Sequence, residues 1–215
     1  MRIFLLTVAA AMLVACSSAP PPPDWQSNAF TALEGFEKAY LTGAGAAEAE
    51  FARARAELTR TGRVDLVARA ELTRCAARVA SLEFDECPGF AALSIDAPAP
   101  ERAYAAYIGG RWQDMDAALL PAHHRAVAGG NAAAMAAIQD PLARLVAAGA
   151  LMRAGRIEPA GVAIAVDAAS ANGWRRPLLA WLGVQLKRAE AGGDAQEAAR
   201  IRRRIELVGG SGLNR

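Results

Sequence analysis

Three cysteines, one pair of adjacent histidines and a scatter of carboxylates are the residues of this chain with chemistry to offer. His123 and His124 are neighbours, and neighbouring helical side chains diverge by about 100°, so the two rings do not converge on one metal as residues four apart would. A surface or partly packed pair is expected. Asp85-Glu86 reads as a pair of turn acids beside Cys87. Glu48, Glu50 and Glu57 alternate with Arg53 and Arg55 as they do on a solvated helix face. The chain has no serine in a Gly-x-Ser-x-Gly setting, no histidine placed to activate Cys75, and no phosphate-cradling glycine loop. No catalytic residue is therefore assigned, and the protein is read as not an enzyme, with ligand-binding residues open. No cofactor is expected, and no metal, because two thiols without a neighbouring histidine make half a zinc site. An enzyme would need a carboxylate held in a cleft with a raised pKa. Glu34, Glu37, Glu71 and Glu83 are where burial without an arginine partner would reveal one.

The elements that must position these groups are helices. Hydrophobic residues make up 53% of the 215 positions but aromatics only 6%, so alanine, the best helix former, carries much of the apolar fraction. With 24 Lys+Arg against 22 Asp+Glu there is no electrostatic case for nucleic acid. Arginine supplies nearly all the positive charge, which reports a GC-rich genome rather than a ligand.

A first helix is expected after an Asp24 cap, with Trp25, Ala29, Phe30, Leu33, Phe36, Tyr40 and Leu41 on its inner face. Gly43-Ala44-Gly45 breaks the chain before a second, with Ala47, Phe51, Ala54 and Leu58 inward. A third runs from Val64 to Leu82 and aligns Ala68, Leu72, Cys75, Val79 and Leu82. Residues 83–100 read as irregular, with Asp96-Ala97-Pro98-Ala99-Pro100 a subdomain break. Helices then follow over 101–108, 111–120, a short one opened by Pro121, 131–138, 142–153, 159–171, 177–191 and 194–207. Glycines punctuate them, Asp140-Pro141 is a cap with a first-turn proline, and Asp194 with Glu197 has capping-box spacing. Trp174-Arg175-Arg176-Pro177 is one basic cluster. The Arg200, Arg202, Arg203, Arg204 run reads as a charge-mixed terminal capping helix, because Glu190, Asp194, Glu197 and Glu206 lie nearby, with contact to anionic lipid or an acidic partner as its alternative.

Gly149 and Gly183 stand about one tetratricopeptide period, 34 residues, apart, each in the first helix of a pair. Gly109-Gly110-Arg111-Trp112 is similar to the turn of such a unit. The second half thus resembles tetratricopeptide-like repeats, with alanine at most of the expected aromatic positions and uneven pair lengths. Irregular helical hairpins, stacked as an α-α superhelix or a bundle, are the all-α fold this implies. Such surfaces bind polypeptide.

The N-terminus adds a location. Met1-Arg2 is followed by an apolar run, Ile3 to Val14, too short to span a bilayer, and then by Leu13-Val14-Ala15-Cys16. This ending resembles the lipobox of bacterial lipoproteins. The resemblance implies cleavage between Ala15 and Cys16 and acylation of Cys16, whose several chains anchor more firmly than one. Ser17 in place of Asp implies the outer membrane; an anchor facing the periplasm is expected, with a cell-envelope protein as the partner alongside the membrane itself. Cleavage leaves about 200 residues, enough for one domain or two small ones. The organisation expected is a signal peptide over 1–15, a lipidated cysteine and polyproline tether over 16–23, a disulfide-bearing helical subdomain over 24–95 and a hairpin subdomain over 96–215. With Cys16 acylated, Cys75 and Cys87 remain in a compartment that permits disulfides. A helix continuing to Glu83 carries the chain roughly 12 Å from Cys75, and four more residues reach at most about 13 Å. Closure therefore needs the chain to double straight back, for which Pro88-Gly89 is suitable turn chemistry. The alternative is a buried thiol with an exposed partner.

Replacing Cys16 with alanine is expected to abolish incorporation of a palmitate analogue and to leave an unacylated precursor or a misplaced soluble form. Label retained on the variant would refute the anchor.

Overall fold

The computed structural model describes residues 22–210. The signal peptide, Cys16 and most of the tether lie outside the described residues, as does the C-terminal pentapeptide. Within them the protein is all-α and built from packed helical hairpins, with no strand among the described residues. The order is α1 Asp24–Thr42, α2 Ala47–Thr59, α3 Val64–Ala80, α4 Pro88–Ala91 and α5 Ala99–Ile108. Then come α6 Ala122–Ala128, α7 Pro141–Arg153, α8 Pro159–Ala171, α9 Arg175–Ala191 and α10 Ala195–Gly210.

The third helix is buried on two sides. Val67, Ala70 and Ala77 join Phe36, Tyr40, Phe51 and Leu58 in an aromatic cluster under the α1–α2 hairpin. Ala68, Leu72, Cys75, Ala76 and Val79 join a larger cluster that runs through α5, α7, α8 and α9. Phe36 anchors the first, its ring 5.5 Å from that of Phe51 and 5.6 Å from that of Tyr40. Trp181 of α9 is fully buried in the second, and its indole N–H donates to the Ala80 carbonyl at 2.9 Å. That carbonyl is one of those a helix end leaves unsatisfied, so the contact caps α3 with a side chain from a remote hairpin.

Alanine lets these helices come close. At the α3–α7 crossing a Cβ on Gly149 would overlap the Val79 carbonyl, and would stand 2.8 Å from Val79 Cγ1. Gly183, its counterpart one period later, has nothing within 4 Å of such a Cβ. The two hairpins do keep the repeat spacing, since α7 opens at Pro141 and α9 at Arg175. Left-handed glycines, Gly173 and Gly193 among them, make the reversals.

Several local expectations change. Asp24 is the first residue of α1 and does not cap it; Pro23 holds the cap position. Phe30 is 63% exposed, because it lies about 100° around the helix from Ala29 and misses the stripe that faces α2. Residues 111–120 form two 3₁₀ turns, Trp112–Asp114 and Ala117–Leu119, and Ala132–Ala137 is also 3₁₀. Short segments between breakers commonly take this tighter helix. Side chains cap two of them, Asp116 accepting from the Ala118 N–H and Asn131 from the Ala134 N–H.

The Cys75–Cys87 disulfide is present, with Cα atoms 5.8 Å apart. The chain doubles back sooner than the sequence indicated. Helix α3 stops at Ala80, and Leu82 and Cys87 take positive φ values of 59° and 47°. Pro88-Gly89 opens α4 and does not make the turn. Arg153 of α7 fastens the loop by donating to the Asp85 carbonyl at 2.8 Å and to Glu86 at 2.9 Å.

Gly149→Ala is expected to cost about 2–3 kcal/mol in urea unfolding, since backbone stands where the methyl must go. Gly183→Ala is expected to stabilise α9 by up to about 1 kcal/mol. Equal effects at the two positions would contradict the close crossing.

Candidate functional site

A cleft of about 540 Å³ brings together several of the groups with chemistry to offer. It opens where α1, α3, α5, α6 and the start of α7 converge. Its floor is aliphatic: Leu72 and Ala76 from α3, Leu142 and Val146 from α7, and Leu119-Leu120 from the turn before α6. Polar groups enter from separate elements, Glu37 from α1, Arg69 from α3, Glu101 and Tyr104 from α5, His123 and His124 from α6, and Asp140 from the cap of α7.

These polar groups differ in what they already hold. Glu101, itself buried, accepts from Arg69 at 2.7 and 3.2 Å, so this charge pair is internally satisfied. One Asp140 oxygen caps α7 by accepting from the Ala143 N–H at 2.6 Å. Glu37 is half-buried and has no ion pair or hydrogen bond among the described residues. Burial raises its carboxyl above the ordinary glutamate range, and the nearby carboxylates of Asp140 and Glu34 raise it further. Burial, Glu37 and Asp140 together also push the Tyr104 phenol up. The three groups therefore share one electrostatic neighbourhood in which negative charge is uncompensated.

The histidines separate. His123 is exposed at the rim, whereas His124 is only 1% exposed and belongs to the core. A surface or partly packed pair thus describes His123 alone; the helical offset turns its neighbour inward. His124 Nδ1 lies 3.3 Å from the buried Tyr107 hydroxyl, and the two rings are 4.9 Å apart. Burial, then the neighbouring His123, pushes His124 down to about 3, which keeps it neutral at ordinary pH. The Nε2 of this neutral ring has no partner among the described residues, and the side chain lines the cleft.

The other flagged groups are structural. Glu71 pairs with Arg55 at 2.7 Å, Glu83 with Arg176 at 3.0 Å, and Glu34 is exposed. Of the four carboxylates singled out, Glu37 alone lines the cleft without an arginine. Asp85 stands beside the disulfide, where it accepts from the Cys87 N–H at 3.0 Å and pairs with Arg78 at 3.2 Å. Those two sulfurs are bonded to each other and are not thiolate ligands. Arg175 donates to the Val208 and Gly209 carbonyls at the end of α10, and Arg176 to the Tyr40 carbonyl at the end of α1. Arg202 pairs with Glu190 at 2.5 Å, and Arg200 pairs with Glu197. Tyr104 and the second role of Asp140 escaped the sequence reading, since a cap and a helical tyrosine carry no local sign of a shared cleft.

The fold and cleft define an all-α, disulfide-bonded protein of packed helical hairpins. No protein-family model, curated protein or solved structure matches the chain. Among the described residues no helix is long and apolar enough to cross a membrane.

His124 gives a testable pH dependence. Its folded pKa is depressed below the ordinary 6.5, so its contribution to stability is complete above that value and is lost as pH falls towards about 3. Urea midpoints of wild type should therefore fall more steeply from about pH 7 to about pH 4 than those of His124→Gln. Parallel pH curves would show that His124 is not held neutral by the fold.

Proposed function

We propose that the protein is a lipid-anchored module of the bacterial cell envelope that binds a polypeptide segment in this cleft and does not catalyse a reaction. Its anchor is Cys16, acylated after cleavage at Ala15, and its place is the periplasmic side of the outer membrane. The Leu13-Val14-Ala15-Cys16 ending and the proline run after it support the anchor. The Cys75–Cys87 bond supports export, because such bonds persist in oxidising compartments. The binding role rests chiefly on the cleft, an aliphatic floor ringed by polar groups from five elements, Glu37 and the Tyr104 hydroxyl among them without partners. Its volume lies within the roughly 300–1,000 Å³ of ordinary ligand sites. Helical hairpins commonly present such concave surfaces to peptides.

A second reading, an envelope enzyme acting on peptidoglycan or another periplasmic substrate, is favoured by one observation. Glu37 is a half-buried carboxyl with a raised pKa, as a general acid requires. Loss of turnover with retained binding in Glu37→Gln would select that reading.

A photo-crosslinking amino acid placed at Leu119, which is 38% exposed in the cleft, tests the polypeptide role in intact envelopes. One discrete envelope protein should be captured there and not from the same label at Ile95, which is exposed outside the cleft. Equal capture from both positions, or none from Leu119 in correctly localised protein, would contradict it.

A further inference from the structure

The cleft is short of positive charge. Its only arginine, Arg69, is committed to Glu101. Glu37 also lines the cleft, with two other carboxylates, Asp140 and Glu34, as its electrostatic neighbours. A half-buried carboxylate gains most from a cation that it can touch, because water is partly excluded and screening is weak. An anionic ligand would instead meet Glu37 and Asp140 across an apolar floor, a like-charge contact that opposes binding.

Two further groups specify more than charge. The neutral His124 ring is buried, and its Nε2 is unpartnered in the wall of the cleft. The Tyr104 hydroxyl likewise has no hydrogen-bond partner among the described residues. The floor between these groups, formed by Leu72, Ala76, Leu142 and Val146, offers no polar atom of a side chain. A saturated stem with a cationic head matches this floor and the carboxylates beside it.

We propose that the cleft is a receptor for an ammonium group carried on an aliphatic stem, with Glu37 and Asp140 as its charge partners and the α3–α7 floor as the stem's bed. A lysine side chain and a free alkylamine share that chemistry. The inference rests on the cleft being the binding site of the proposed module, but not on the anchor or on the identity of the partner. An ammonium in contact with Glu37 supplies the one interaction this carboxylate lacks, and its three N–H donors suit two carboxylates at once. The aliphatic stem covers leucine and valine side chains that would otherwise face water.

The test uses the full chain in detergent and four probes: n-hexylamine, n-hexanol, hexanoate and a short alanine peptide with one central lysine. Binding is followed by calorimetry and by the NMR signals of the His124 ring. Hexylamine and the lysine peptide should bind and shift the His124 signals, with hexanol and hexanoate weaker by roughly tenfold or more. Glu37→Gln, which removes a strained charge and should melt no lower than wild type, should weaken hexylamine by roughly tenfold and leave hexanol unchanged. Tighter binding of the lysine peptide than of hexylamine would assign the ammonium to a polypeptide; the reverse order would assign it to a free amine. Either order supports the cation site. Hexanol or hexanoate binding as well as hexylamine, or a Glu37→Gln variant that binds hexylamine unchanged, would overturn it. Cation binding with no polypeptide captured at Leu119 would remove the polypeptide role and leave the site standing. Capture at Leu119 with no preference for amines would do the opposite.

Discussion

The structure depends on how closely α3 and α7 approach one another. Backbone meets backbone where Gly149 passes the Val79 carbonyl, and any larger residue at 149 would push the two apart. Both helices are rich in small buried residues near the crossing, Ala76 and Ala80 in α3 and Ala147, Ala148 and Ala150 in α7. Such helices gain little from each side chain, so stability must come from many shallow contacts and few voids. The same crossing sets the cleft. Leu72 and Ala76 on one helix and Leu142, Ala143 and Val146 on the other form its floor, so the site's shape follows from the interhelical distance.

Since alanine supplies little specificity of direction, polar contacts fix the arrangement of the hairpins. Trp181 caps α3, Arg176 reaches the end of α1, Arg175 the end of α10, and Arg153 the disulfide loop. Arg125 donates to the Leu120 carbonyl at 2.9 Å and Arg144 to the Ile138 carbonyl at 2.9 Å, both in the irregular stretches between helices. Arginine is thus abundant for a structural reason as well as a compositional one. Its planar fork satisfies carbonyls that irregular backbone leaves open, which lysine does less well. Arg176 adds its guanidinium face to the Tyr40 ring, 4.4 Å from the centroid.

Periodicity made the long helices legible. The stripes of α1, α2 and α3 and the glycine breaks of the second half show in the sequence because each is a local pattern of three or four residues. The disulfide was legible from chain reach, although the reversal uses Leu82 and Cys87 in left-handed conformations that no glycine announces. The 3₁₀ segments at residues 112–119 and 132–137 were hidden by their alanines, which favour a helix without fixing its type. The cleft was hidden for a different reason. Glu37, Tyr104, His124 and Asp140 are brought together by four different elements, and each alone reads as a solvated acid, a core aromatic, a packed histidine and a cap. Only the exclusion of an arginine partner distinguishes Glu37 from Glu71 and Glu83, and that is a property of the packing.

The cleft's character comes down to the state of a single carboxyl. Titration of the Glu37 side-chain carbon by NMR, in the oxidised full chain without added ligand, reads it directly. A midpoint above that of ordinary glutamate, moving back towards it when Asp140 is replaced by asparagine, is the result expected of a desolvated acid that lacks a cation. A midpoint at or below the ordinary value, indifferent to residue 140, would mean that Glu37 is solvated or already paired, and the cleft would lose its claim to a cation.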